Sequence, residues 1–202
     1  LTHYEFGRCI ATAVQESDKR VVLIASGDLS HKLKEDGPYG LSLEGPIFDE
    51  EITEAMAVGD FLKFLSFDES FCDAAAECGL RSFIIMTGAL DGKAVKSELL
   101  SYEGPFGVGY AVAAYEITGD DTNRYFGKSY EQVEEINLIN LKQNEDRYVS
   151  LARQALEHYV RNNTNLNRPE DLPEELTANR AGVFVSLKVG GRLRGCIGTI
   201  FP

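Results

Sequence analysis

Three places along the chain bring together residue types that do chemistry. His31 closes the run Ser26-Gly27-Asp28-Leu29-Ser30-His31, directly after the short apolar segment Val21-Val22-Leu23-Ile24-Ala25. An imidazole titrates near neutrality, which suits it to passing protons. Small and polar residues just past the carboxyl end of a buried strand are where α/β folds place ligands. The competing reading of His31 is a polar loop residue that satisfies backbone groups. Glu77-Cys78-Gly79 sets a carboxylate beside a thiol, a pair that could ligate a metal or take part in redox chemistry. The glycine that follows is equally an ordinary helix stop. Arg194-Gly195-Cys196-Ile197-Gly198 brackets a cysteine with glycines in a strand-like run, where glycine signals a bulge or a close backbone approach. Arg194 would favour the thiolate of Cys196, and tight packing of a buried cysteine is the alternative. His3 and His158 read as exposed residues, Cys9 and Cys72 as small buried apolar ones.

The elements that must position these residues follow from apolar spacing. Phe6, Ile10 and Val14 step by four and predict a helix over 4–16. Val21–Ala25, β-branched and continuously apolar, predicts a strand covered on both faces. Residues 37–46 read as an ordered loop, 49–58 and 68–78 as helices, with Asp68 as N-cap of the second. Residues 80–90 are apolar enough for a buried helix or strand, and periodicity alone leaves both open. Strands are predicted over 99–104 and 109–117, joined by the Gly104-Pro105-Phe106-Gly107 turn. Further on, Tyr148, Leu151, Ala152, Ala155, Leu156, Tyr159 and Val160 form one stripe on a helix. Strands over 183–188 and 193–200 are joined by a Gly190-Gly191 hairpin signal.

The chain has 202 residues, 44% of them apolar and 26% charged, as in ordinary globular domains and unlike disordered or collagenous chains. No apolar run approaches the ~20 residues that cross a bilayer. Four cysteines without a CxxC pair, and no signal-peptide pattern, point to a reducing cytoplasm. The chain starts at Leu1 rather than methionine and is expected to be a piece of something longer. Acidity is concentrated early. Residues 1–117 hold nine Lys/Arg against twenty Asp/Glu, net −11, whereas residues 145–202 are net +1. That imbalance predicts two units, 1–117 and 145–202, joined by a polar linker over 118–144. It also argues against nucleic acid as a partner of 1–117, because phosphate binding needs Lys and Arg.

Several motifs carry a resemblance. Leu23 to His31 followed by Pro38-Tyr39-Gly40, then Ala76-Glu77-Cys78-Gly79-Leu80-Arg81, then Ser101 through Tyr110, resemble the second half of a class III extradiol ring-cleavage dioxygenase. This is the LigB-type superfamily that includes the Memo proteins. Leu151-Ala152-Arg153, Phe184 to Lys188 and Leu193 to Thr199 resemble the start of the AMMECR family. The fold implied is α/β, a LigB/Memo-like mixed sheet flanked by helices, followed by part of an α+β AMMECR domain.

The resemblance implies a non-haem Fe(II), or another divalent metal, held by two histidines and a carboxylate, with a catecholic or other chelating small molecule as substrate. His31 falls on the family's acid/base histidine. The third ligand falls at Glu77 or Cys78, a glutamate in the dioxygenases and a cysteine in the Memo branch. The family's two metal-binding histidines belong to the half that precedes these motifs, and His3, His31 and His158 do not match them. This chain alone is therefore expected not to assemble the iron site. For the AMMECR part, Arg194, Gly195 and Cys196 carry over as a motif with no reaction attached. The two units in this order resemble the fusion of the AmmeMemoRadiSam system, which implies a radical-SAM protein partner. A non-catalytic Memo-like scaffold remains the alternative to an oxygenase.

Overall fold

The computed structural model describes residues 1–189 and 192–201. The chain divides into two compact units, Leu1–Val133 and Glu134–Pro202. In the first, helix α1 (Thr2–Gln15) precedes a long irregular segment. Then come α2 (Glu44–Val58), α3 (Phe61–Ser66), α4 (Glu69–Ala75) and α5 (Leu80–Ala89), and the hairpin of β1 (Lys93–Glu103) and β2 (Tyr110–Asp120). The α/β class holds, and both sheets among the described residues are antiparallel pairs.

Helix boundaries follow local chemistry. Asp60 and Asp68 sit at N-caps and accept the backbone N–H groups of Lys63 and Phe71, donors that have no partner inside their helices. Residues 80–90, open between helix and strand in the sequence, form α5. Phe48 and Ile52 fall four apart on α2 and are fully buried. Around them Phe67 packs on Phe48 with ring centroids 5.0 Å apart, and Tyr115 meets Phe61 edge-on at 4.9 Å. Burying each such ring contributes about 1.5–3 kcal/mol.

Helices α1 and α5 cross with their backbones in contact. A Cβ on Gly7 would lie 1.9 Å from the Ile85 carbonyl oxygen, and one on Gly88 would lie 2.0 Å from that of Tyr4. Only glycine, which carries no Cβ, fits at these two positions.

Two readings are corrected. Val21–Ala25 forms no strand, and Val22 and Ile24 are 85% and 81% exposed. Apolar, β-branched composition prepares a segment for a sheet, but a strand exists only when a neighbour pairs its N–H and C=O groups. No described segment does so here. Cys9 is exposed on the outer side of α1, whereas Cys72 is buried as read. Burial and acidic neighbours, with Glu77 foremost, push the Cys72 thiol up to about 12.

The division between units falls within α6 (Phe126–Gln143). The second unit holds α7 (Arg147–Asn162) and the antiparallel pair β3 (Val183–Val189) and β4 (Arg192–Thr199). Asp146 caps α7 by accepting the Val149 amide at 2.8 Å. Arg153 Nε donates to both oxygens of Glu145 at 2.7 and 2.9 Å, which holds that carboxyl below its usual range. The apolar stripe lies on α7 as spaced, yet it is half-buried or exposed along its length. The Gly190-Gly191 turn lies outside the described residues. No helix among the described residues is long and apolar enough to cross a membrane.

Gly88→Ala is expected to lower unfolding free energy by about 1–3 kcal/mol through overpacking. Gly119→Ala, where an added Cβ meets nothing within 4 Å, should change it by less than about 0.5 kcal/mol. Urea denaturation of both variants checks the pair.

Candidate metal and acid–base site

The segment that carries His31 has no secondary structure of its own, so other elements must hold it. Leu29 donates its amide to the Gly109 carbonyl at 2.9 Å, and Gly109 returns its own amide to Ser30 at 2.8 Å. From α2, the Asp49 carboxylate accepts the Ser30 amide at 2.7 Å. From the end of α4, the Ala75 carbonyl accepts the Ser30 hydroxyl at 2.8 Å and the His31 amide at 3.3 Å. The backbone at His31 is thus tied to three distant parts of the first unit.

Asp49 is the pivot of this clamp. It is 1% exposed, and its second oxygen accepts the Tyr102 hydroxyl at 2.8 Å. Burial pushes its carboxyl above the ordinary range, opposed by the Ser30 amide, the Tyr102 hydroxyl and His31. Gly109 makes room for it, since a Cβ there would fall 1.8 Å from Asp49 Oδ2.

The second arm is the turn between α4 and α5. Ala76 takes a left-handed conformation at φ 54° and ends α4. Glu77 then folds back and accepts the Leu80 amide at 2.7 Å, in the first turn of α5. Its carboxylate is engaged in holding that helix start. Cys78 turns the other way. Its amide donates to the Asp28 carbonyl at 3.4 Å, and its sulfur accepts the Asp28 amide at 3.4 Å. The two glycines let the arms touch, because a Cβ on Gly27 would lie 2.3 Å from the Gly79 Cα.

The outcome is a trio. One ligand atom each from Asp28, His31 and Cys78 lies within 4.8 Å of the others. His31 Nε2 stands 3.7 Å from Asp28 Oδ2, and it is buried without a hydrogen-bond partner among the described residues. A buried, unpaired ring nitrogen is costly unless something else engages it. Asp28 is the member that spacing did not single out, although it stands inside the same polar run as His31.

The remaining candidates lie elsewhere. His3 is exposed, and His158 bonds locally to Asn162 and Thr164. Arg194, Gly195 and Cys196 are on β4 of the second unit. The register shifts between Leu187 and Lys188, so Arg194 is the extra residue of a bulge. Gly195 meets nothing within 4 Å, so close backbone approach is not what it provides. Cys196 is exposed, against the packed alternative of its two readings, and its sulfur accepts the Ser186 hydroxyl at 3.4 Å.

Residues 1–113 match the family model described as the catalytic LigB subunit of aromatic ring-opening dioxygenase, and the chain belongs to that family. Residues 149–202 match the AMMECR1 model. Over 200 residues the chain is 44% identical to Protein CA_C1420 of Clostridium acetobutylicum, covering 98% of this chain and 42% of that relative. A protein of Thermotoga maritima is 49% identical over 59 residues, covering 29% of this chain and 34% of its own length. One from Methanothermobacter thermautotrophicus is 50% identical over 50 residues, covering 25% of this chain and 26% of its own length. The chain spans less than half the length of these curated relatives.

Asp49→Ala is expected to cost about 2–4 kcal/mol, because it strands the Ser30 amide and the Tyr102 hydroxyl. Asp49→Asn can accept the first and donate to the second, so it should cost less than about 1 kcal/mol at neutral pH. A raised carboxyl binds its proton more readily folded than unfolded, so ionising Asp49 weakens the fold as pH rises from its ordinary 3.8 through the raised value. Unfolding free energies against pH should therefore show Asn gaining on Asp across that window.

Proposed function

We infer that the first unit supplies one side of a metal-dependent site of extradiol-dioxygenase type, acting on a phenolic or otherwise chelating small molecule. The observation that carries this reading is the buried, unpartnered His31 Nε2 facing the Asp28 carboxylate and the Cys78 sulfur. The Cys78 thiolate and the Asp28 carboxylate are fitting donors for Fe(II) or a related first-row divalent ion, with the His31 imidazole standing beside them. Cys78, whose sulfur joins the trio, is the better ligand candidate than Glu77, whose carboxylate holds the Leu80 amide. When bound, such a metal supplies Lewis acidity to a chelated phenolate and a meeting point for dioxygen. His31 is assigned the proton work: Nε2 takes the hydroxyl proton of the substrate and returns it to the product. The clamp through Ser30 sets where that nitrogen stands.

His31 is the single imidazole of the trio. The longer protein, of which a relative such as CA_C1420 gives the scale, is proposed to add the two histidine ligands. The finer reading of the fusion is the A protein of the AmmeMemoRadiSam system, with a radical-SAM partner in a reducing cytoplasm. It rests on the order of the two family matches. A non-catalytic scaffold is the second reading, favoured by the exposed Phe184, Ile197 and Phe201 of the second unit.

Cobalt(II) titration of the longer protein should give a cobalt–thiolate charge-transfer band that Cys78→Ser abolishes and Glu77→Gln retains. The 202-residue chain should bind at least about tenfold more weakly, since it lacks the proposed histidine ligands and losing even the groups that orient a ligand costs that much. A band that survives Cys78→Ser would overturn the ligand assignment. His31→Ala in the longer protein should lower catechol-dependent oxygen uptake by about 10²–10⁴-fold. Unchanged uptake, or partner binding with no uptake by wild type, would favour the scaffold.

A further inference from the structure

The run 21–25 is apolar throughout, and its backbone sets it apart from the other exposed aliphatic residues of the molecule. Residues 20–27 take part in no backbone hydrogen bond among the described residues. Exposure along the run alternates: Val22 and Ile24 are 85% and 81% open, Val21 and Leu23 50% and 40%. Ala25 continues the less open row and packs against the core. A period of two belongs to an extended backbone with one row of side chains turned toward the protein and one away from it.

Both ends of the segment are fixed. Upstream, α1 lies on α5 through the Gly7–Gly88 contact. Downstream, Asp28 donates its amide to the Cys78 sulfur at 3.4 Å, and Leu29 donates to the Gly109 carbonyl at 2.9 Å. The run is thus held in place before anything pairs with it, and a strand that joins it loses little in ordering it.

We propose that residues 21–25 are an inner strand of a sheet that the longer protein completes. The part of its chain outside these 202 residues pairs the open backbone and covers Val22 and Ile24. Nothing within this chain is free to do so, because β1 pairs with β2 and β3 with β4. A continuously apolar run belongs to a strand covered on both faces, as in parallel sheets. Parallel neighbours are connected through crossovers of about a dozen residues or more. CA_C1420 has chain to spare for them: the 200 residues aligned with this chain, 44% identical, are 42% of it, so more than half of that relative lies outside them. A strand on the same chain also meets the run at a far higher effective concentration than a free partner does. A parallel neighbour ends where residues 26–31 begin, and so brings further loops to the crevice beyond the strand ends, where the trio lies. The pairing stands whether or not the trio holds a metal.

Hydrogen–deuterium exchange of the longer protein, read residue by residue, tests this. Amides of residues 21–25 should exchange at least about a hundredfold more slowly than in an unstructured peptide of the same sequence. That protection should not change on diluting the protein to a monomer, as followed by light scattering. Ile24→Lys puts a charge on the outer row and should restore fast exchange over 21–25 while α5 keeps its protection, whereas Ile24→Val should leave both protected. Loss of protection throughout Ile24→Lys also supports a covered position, because a charge is tolerated on an open surface. Exchange at peptide rates over 21–25 in the wild-type longer protein overturns the proposal. Protection that disappears on dilution overturns it in favour of a second copy, and protection in Ile24→Lys equal to wild type overturns the cover of the outer row.

Discussion

A carboxylate withdrawn from water must be given hydrogen bonds, and the first unit is organised around meeting that demand at Asp49. Its two oxygens take the Ser30 amide and the Tyr102 hydroxyl, which come from an irregular segment and from β1. Unpaired, either donor or the carboxylate itself would cost more than the bond returns when made. The chain can bury Asp49 only with both partners in place. The position of His31 is a by-product of that requirement, one residue beyond Ser30.

The chemistry-bearing residues were legible in the sequence where type and placement coincide. His31 after an apolar run and Cys78 beside a glycine both stood out, and they meet. Glu77 was indistinguishable from Cys78 on spacing, because which of two neighbours faces a loop from residues 26–31 depends on the left-handed turn at Ala76. Nothing local announces such a turn at an alanine. Asp49 shows in the sequence only as the first residue of a helix expected over 49–58. Its partners are 19 and 53 residues away, and a hydrogen bond between such positions leaves no periodic trace.

The elements show the same division. Helices α1, α2, α4 and α7 and the four strands among the described residues follow from spacing and caps, with ends displaced, as at the start of β1, by up to six residues. Val21–Ala25 did not, because sheet formation is a relation between segments and the sequence of one segment describes half of it. The stripe on α7 is similar: its spacing defines a helix, and its cover is a matter for whatever packs on it. Within the first unit such cover exists for α2 and α3, which bury Phe48, Phe61 and Phe64.

Phe48 and Asp49 are adjacent on α2, fully packed side by side, one among rings and the other holding the Ser30 amide. The same helical turn therefore serves cohesion and chemistry. A lesion that loosens this turn must perturb both at once, so mutational surveys scored by abundance and by the activity proposed for the His31 site would give overlapping maps here. Evolution, too, has little freedom to retune the imidazole without first renegotiating the interior.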